Sequence, residues 1–310
     1  MYLRPFFNKT ALILLLFTIG AAMSSCEDED SANKDRRGPI TPPVSPIYVE
    51  PEIITESGLS GGAVVSAFSV GEGRQVMFSR GNLQYQASTG TWRFAGNQFD
   101  TIGRYNAYTS ETYQGWIDLF GWGTSGYGGC MPYTTSNDTN DYAPHYTNIA
   151  QTDYDWGIPN AIMRGGDRSE MWRTLTYKEW YYLLYERHNA LYLHSQATVM
   201  GVHGCLLMPD TWVCPEDVDF APDATDWYTN TYNRQQWIRL QNLGAVFLPT
   251  AGFRDMKTVS AVGQFGYYWT ATAANHTLSF CVNIYDNTPI SPNTANRCLG
   301  HSVRLVKDVQ

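Results

Sequence analysis

Trp172-Arg173-Thr174-Leu175-Thr176-Tyr177-Lys178-Glu179-Trp180 is the stretch that organises the chain. Thr176 and Glu179 are spaced as a capping box, in which each side chain satisfies a free backbone N–H of the first helical turn. Leu175 and Trp180 stand where a hydrophobic staple would join the incoming chain to that turn. Trp180, Leu183 and Leu184 then share one face at helical spacing and are expected to pack inward. A second helix is expected from Asn233 as N-cap to Leu243, with Trp237 and Leu240 inward and Gly244 as a left-handed stop.

Outside these two helices, turn residues and aromatics dominate. Strands are expected over 64–70, 75–78, 91–94, 205–208, 245–248, 267–272, 279–285 and 302–306. In the last of these, Val303 and Leu305 alternate with Arg304, which suits one buried and one wet face. An early strand and this final one are expected to pair. The fold class read from this pattern is α+β, with short strands, two helices and long loops.

Toward the N-terminus, Arg4 and Lys9 precede an apolar run from Ala11 to Ala22, too short to span a bilayer and typical of a secretory signal. It ends at Met23-Ser24-Ser25-Cys26, which resembles the lipobox of bacterial lipoproteins, and Glu27-Asp28-Glu29-Asp30 resembles the export signal of Bacteroidetes surface lipoproteins. The expected organisation is a signal peptide over 1–25, a lipidated, acidic and Pro-rich tether over 26–62 with Cys26 as anchor, and one domain over 63–310. Pro39, Pro42, Pro43, Pro46 and Pro51 make the tether semi-rigid, at about 3.1 Å per residue. The expected location is the outer membrane, lipid-anchored and facing the exterior.

The net charge of −8 and the lack of a basic stripe argue against nucleic acid, and leave the lipid anchor as the only membrane contact. Beyond Cys26 there are Cys130, Cys205, Cys214, Cys281 and Cys298, an odd number, so at least one thiol stays free. Cys205 with Cys214 and Cys281 with Cys298 are candidate pairs if their strands are neighbours.

The opening stretch resembles the Arg-Leu-Pro-Thr-x-x-Glu-Trp signature of formylglycine-generating-enzyme-like and related C-type-lectin-like domains. Further stretches resemble a Bacteroidetes family of secreted proteins with that fold: Gly81–Tyr85, Trp116–Gly123, Tyr154–Gly157, Leu248–Arg254, Tyr268–Thr272 and Gly300–Val306. The resemblance implies a C-type-lectin-like fold, with twisted antiparallel strands, two flanking helices and long loops. It extends to the variable proteins of diversity-generating retroelements, whose C-terminal segment is rewritten at template adenines, mostly in Asn codons. An AAY codon changed only at its adenines never encodes Trp, Gln, Lys, Glu or Met, and none of the five occurs from Thr270 through Val306.

That resemblance implies a ligand-binding protein with no catalytic residues, no cofactor and no metal, whose partner is a protein or glycan on a cell, phage or host surface. On strand periodicity, Phe280, Val282 and Ile284 are expected to face inward and Cys281, Asn283 and Tyr285 toward a ligand, with 286–296 an exposed loop. The candidate binding face comprises Ala271, Ala274, His276, Thr277, Leu278, Cys281, Asn283, Tyr285, Asp286, Asn287, Asn293, Asn296, Cys298, Leu299 and His301. Two other readings stand beside it. One is an invariant adhesin or fimbria-associated protein with the same fold. The other is a divergent formylglycine-generating-type enzyme, which would need a reactive-cysteine site.

Ser291-Pro292-Asn293 lacks the carboxylate that a calcium-dependent sugar site uses, and Asp138, Asn140 and Asp141 read as a solvated turn.

Overall fold

The computed structural model describes residues 46–144 and 147–309. The expected signal peptide over 1–25, the anchor Cys26 and the tether as far as residue 45 lie outside the described residues. Most of the regular structure is strand, arranged in several small sheets, with two α-helices, which is a mainly-β variety of α+β.

The capping box that opens the first helix, Tyr177–Tyr181, is formed in both directions: Thr176 Oγ1 accepts from Glu179 N at 3.3 Å, and Glu179 Oε2 accepts from Thr176 N at 2.8 Å. The helix widens into a π-turn over Tyr182–Glu186, after which Arg187 turns inward to meet Asp210 at 3.2 Å. The second helix, Arg234–Asn242, begins at Asn233 and stops at Gly244, whose φ of +90° is the left-handed conformation expected there.

An early strand and the last one do meet. Arg74–Phe78 pairs antiparallel with Leu305–Asp308, and the sheet runs Phe68–Gly71, Arg74–Phe78, Leu305–Asp308, Arg173–Thr174. A second sheet orders Thr231–Tyr232, His194–Val199, Val202–Leu207 and Val246–Pro249. A third joins Leu83–Gln86, Thr91–Phe94 and Ile162–Met163. The fourth, called here the C-terminal sheet, runs Phe265–Ala273, Leu278–Tyr285, Ser291–Asn296. Buried apolar side chains form three clusters between these layers.

Four expectations need correction. First, the domain begins before residue 63. Residues 46–62 are a strap held along it: Tyr113 donates to the Pro46 carbonyl at 3.2 Å, Glu50 pairs with Arg93 and Arg164, and Glu56 takes a two-pronged pair from Arg80 at 2.7 and 2.8 Å. Gln241 then donates to the Ser57 carbonyl at 3.0 Å, and Leu59–Ser60 pairs with Ala63–Val64.

Second, Arg304 does not face water. It is 1% exposed and donates to Gln98 Oε1 at 2.7 Å, so both faces of the final segment are covered.

Third, residues 291–296 are a strand and not a loop. Pro292 is tolerated because Ser291–Asn296 is an edge strand, where a missing N–H costs no ladder bond.

Fourth, Cys130, Cys205, Cys214, Cys281 and Cys298 are all free thiols. Cys205 lies in the interior of its sheet whereas Cys214 is exposed on a loop, and Cys281 stands opposite Asn293, five residues short of Cys298.

Candidate functional site

Cross-strand partners share a face of a sheet, so the register of the C-terminal sheet decides which side chains act together. Phe265 lies opposite Tyr285, Tyr267 opposite Asn283, and Trp269 opposite Cys281, while on the other side of the middle strand Asn283 pairs with Ser291 and Cys281 with Asn293. At the Trp269 end this face is covered: Trp269 and Cys281 are each 1% exposed. It opens toward Phe265, where four aromatic rings gather. Phe265 sits 5.0 Å from Tyr285, Tyr285 5.6 Å from Tyr267, and Tyr267 5.7 Å from Phe253.

The patch rests on His301. Its imidazole is stacked between Tyr267, at 4.7 Å, and Trp269, at 4.3 Å, and burial pushes its pKa down to about 3, so it is a neutral spacer at physiological pH. Burial, followed by the neighbouring Tyr267, raises the Tyr285 phenol, which therefore stays protonated.

The opposite face turns Val282 and Ile284 into the core, as expected, but Phe280 is half-buried at its margin and lies 4.4 Å from Tyr177. Tyr181 and Tyr185 continue that aromatic row along the first helix.

The candidate residues separate into three groups. Ala271, Cys281, Asn283, Cys298 and His301 are buried and cannot meet a partner directly. Neighbouring elements cover the outer side of the sheet here, a layer that period-two alternation does not reveal. Ala274, His276, Thr277, Leu278 and Asn296 gather at the hairpin tip, while Tyr285, Asp286 and Asn287 lie at the aromatic end. At about 3.4 Å per residue the two ends of strand Leu278–Tyr285 are roughly 24 Å apart. Asn293 lies on the exposed edge strand between them, and Leu299 is half-buried beyond it.

Both ends are fixed from beneath. The buried guanidinium of Arg297 lies 4.3 Å over Trp122 and donates to the carbonyls of Asn275 at 2.8 Å, Pro144 at 3.0 Å and Ala143 at 3.1 Å. At the aromatic end, Gln196 donates to the Tyr285 and Thr288 carbonyls, both at 2.6 Å, and Asn287 N donates to Thr225 O at 2.7 Å.

Sequence reading missed Phe253, Phe265 and Tyr267. A signal existed in the alternation Phe265, Tyr267, Trp269, which puts three aromatics on one face of a strand. Also unforeseen is the charge pattern: from Phe265 through Asn296 the only carboxylate is Asp286, and there is no Lys or Arg.

Elsewhere the ionisable groups have structural tasks. Asp155, raised to about 6 by burial, accepts from Thr174 N and Oγ1. Asp118, raised likewise, accepts from Ile102 N and Asn106 Nδ2. Burial pushes the Cys281 thiol up to about 12 and Cys298 to about 11, which holds both as poorly nucleophilic thiols. Among the described residues no three His, Cys, Asp or Glu side chains converge as a metal ion would require. Compared with protein-family models, curated proteins and solved structures, the chain matches none.

Proposed function

We propose that this chain is a surface-displayed binding lipoprotein whose domain belongs to the C-type-lectin-like folds and presents the outer side of its C-terminal sheet to a partner. The observation that carries this reading is the aromatic and amide-rich face, with Asp286 as its one carboxylate and no Lys or Arg, running from Phe265, Tyr267 and Tyr285 along Asn293 to the His276–Thr277 tip, fastened below by Arg297 and Gln196. Tyrosine and asparagine on a rigid support combine large contact area with adaptable hydrogen bonding at low ordering cost. With no cation on the face, binding there is expected to vary little with salt.

Retroelement diversification is the further part of the reading, supported by the residue types from Thr270 to Val306. It now takes a sharper form, because only exposed positions can vary without harming the core. Sequencing the gene and its flanking DNA across isolates tests it. The expected result is a nearby near-copy of the segment, with adenine-restricted changes at His276, Thr277, Tyr285, Asn287, Asn293 and Asn296, and with Cys281, Asn283, Arg297 and His301 constant. An invariant segment with no template would overturn diversification and leave a fixed adhesin with the same face.

A further inference from the structure

Between residues 46 and 57, no backbone-to-backbone hydrogen bond joins the strap to the rest of the domain among the described residues. A sheet holds a strand through its backbone ladder; here buried side chains of the body hold the strap's backbone instead. Tyr113 and Gln241 donate to the carbonyls of Pro46 and Ser57, at its two ends. At the middle, Asn97 uses both halves of its amide: Nδ2 donates to the Glu52 carbonyl at 3.0 Å, and Oδ1 accepts from Ile54 N at 2.9 Å. Asp100 accepts from Asn97 N at 2.8 Å and from Asn97 Nδ2, which fixes that amide from below.

Charge is divided in the same way. The side chains of Arg80 and Arg93 are only 7% and 6% exposed, and the body itself positions them. Arg80 donates to the Gly96 carbonyl at 2.9 Å, while Arg93 donates to Gln84 Oε1 at 2.8 Å and lies 3.7 Å over the Trp116 ring. Their carboxylate partners, Glu56 and Glu50, both belong to the strap. The groove is therefore shaped for an extended segment with two carboxylates six residues apart, and Pro51 between them favours the extended form.

We propose that this groove is a peptide-binding site that also takes the strap of a second copy, so that two copies exchange straps. An identical segment keeps every one of these contacts in trans, which makes such an exchange a low-cost route to a pair. The joint that must turn is Gly58, left-handed at φ +77°, and the pairing of Leu59–Ser60 with Ala63–Val64 beyond it stays with the body. A strap on its own chain competes at a high effective concentration, so exchange grows with protein concentration and reverses on dilution. A segment without acidic residues leaves both arginines without an anion and is excluded.

Two measurements on the whole chain test this. In the first, a fluorescent peptide of residues 46–57 is titrated into the Glu50→Gln, Glu56→Gln double variant, whose own strap is loosened, and into the wild type. The peptide should bind the double variant about fivefold more tightly than the wild type, and a peptide with glutamine at both positions should bind it about fivefold more weakly than the native peptide. Solvent reaches both glutamates, and an unchanged circular dichroism spectrum verifies folding. In the second, tagged and untagged wild type are mixed, concentrated and captured; the untagged chain should be retained, and excess peptide should release it. No binding to the double variant, or equal binding to the wild type, overturns the groove as a peptide site. Peptide binding without retention, or retention that the peptide does not release, overturns the second copy as its occupant. Neither measurement involves the lipid anchor or the C-terminal sheet, so the display reading stands or falls separately.

Discussion

The strap over residues 46–62 and the C-terminal sheet are fastened to the same domain by opposite electrostatic means. On the strap, charge meets charge: Glu50 lies between Arg93 and Arg164, and Glu56 faces Arg80, with Glu56 still 61% exposed. Under and beside the C-terminal sheet, Arg254, Arg297 and Arg304 are buried and donate to carbonyls and side-chain amides: Arg254 to Met256, Leu119 and Thr134, Arg297 to Ala143, Pro144 and Asn275, and Arg304 to Asn82, Gln98 and Phe247. Burial lowers all three to about 10, so they remain charged at neutral pH. Water and salt reach the first kind of fastening and not the second. A guanidinium shared among several carbonyls ties together loops from distant parts of the chain, and one ion pair at the surface does not.

The largest effect should come from breaking a buried fork. Arg297→Ala leaves the Asn275, Ala143 and Pro144 carbonyls without their donor and should cost about 3 kcal/mol, read by urea unfolding. Arg297→Lys should recover less than half of it, since an ammonium does not reproduce the fork. Full recovery by Lys would show that charge alone holds the tip.

His301 gives the next largest effect. Its folded pKa of about 3 lies below the free imidazole value of about 6.5. The stability it contributes is therefore complete above about pH 6.5 and is lost as pH falls toward 3. Asp100, Asp118 and Asp155, raised to about 6, act in the opposite sense, since their contribution is complete below the unfolded carboxylate value and is lost as pH rises through 6. The informative quantity is thus the difference between wild type and His301→Phe. Between pH 6.5 and 5 that difference should shift by about 2 kcal/mol against the wild type, and a flat difference would mean that His301 is free to protonate in place.

Thr176→Ala should cost about 1 kcal/mol in the same urea experiment. This site lies between the two extremes: Glu179 is in a capping box and also pairs with Arg173 at 3.0 Å, at 3% exposure, so salt should not enlarge the loss.

The smallest effect belongs to the strap. Glu50→Gln should cost about 0.5 kcal/mol or less, yet it should speed proteolytic cleavage between residues 46 and 58, as should 1 M salt in the wild type. Loss as large as that of Arg297→Ala would make the strap part of the core.

Local chemistry was legible in the sequence. Both helix starts were readable from Thr176 with Glu179 and from Asn233, and Gly244 from its place after the last apolar residue, because a cap involves groups three or four residues apart. Tertiary partners were not. Residues 46–62 read as linker since Pro and charge dominate, and nothing local announces that Glu50 will meet Arg93 and Arg164. Arg304 read as wet because an isolated arginine in an alternating strand usually is; its partner Gln98 lies 206 residues away. The aromatic end of the candidate face was missed for a related reason: Phe265 and Tyr267 look like core until the register shows where the covering layer ends.

The strand Leu305–Asp308 follows every other strand in sequence, yet it lies inside its sheet, between Arg74–Phe78 and Arg173–Thr174. A chain emerging N-terminus first cannot close this sheet until Leu305–Asp308 is out. Any frameshift or premature stop within the C-terminal sheet upstream removes that strand, exposes apolar edges and leaves a product for proteases. The architecture thereby inspects its own reading frame: only a chain translated correctly through residues 265–296 can complete the domain.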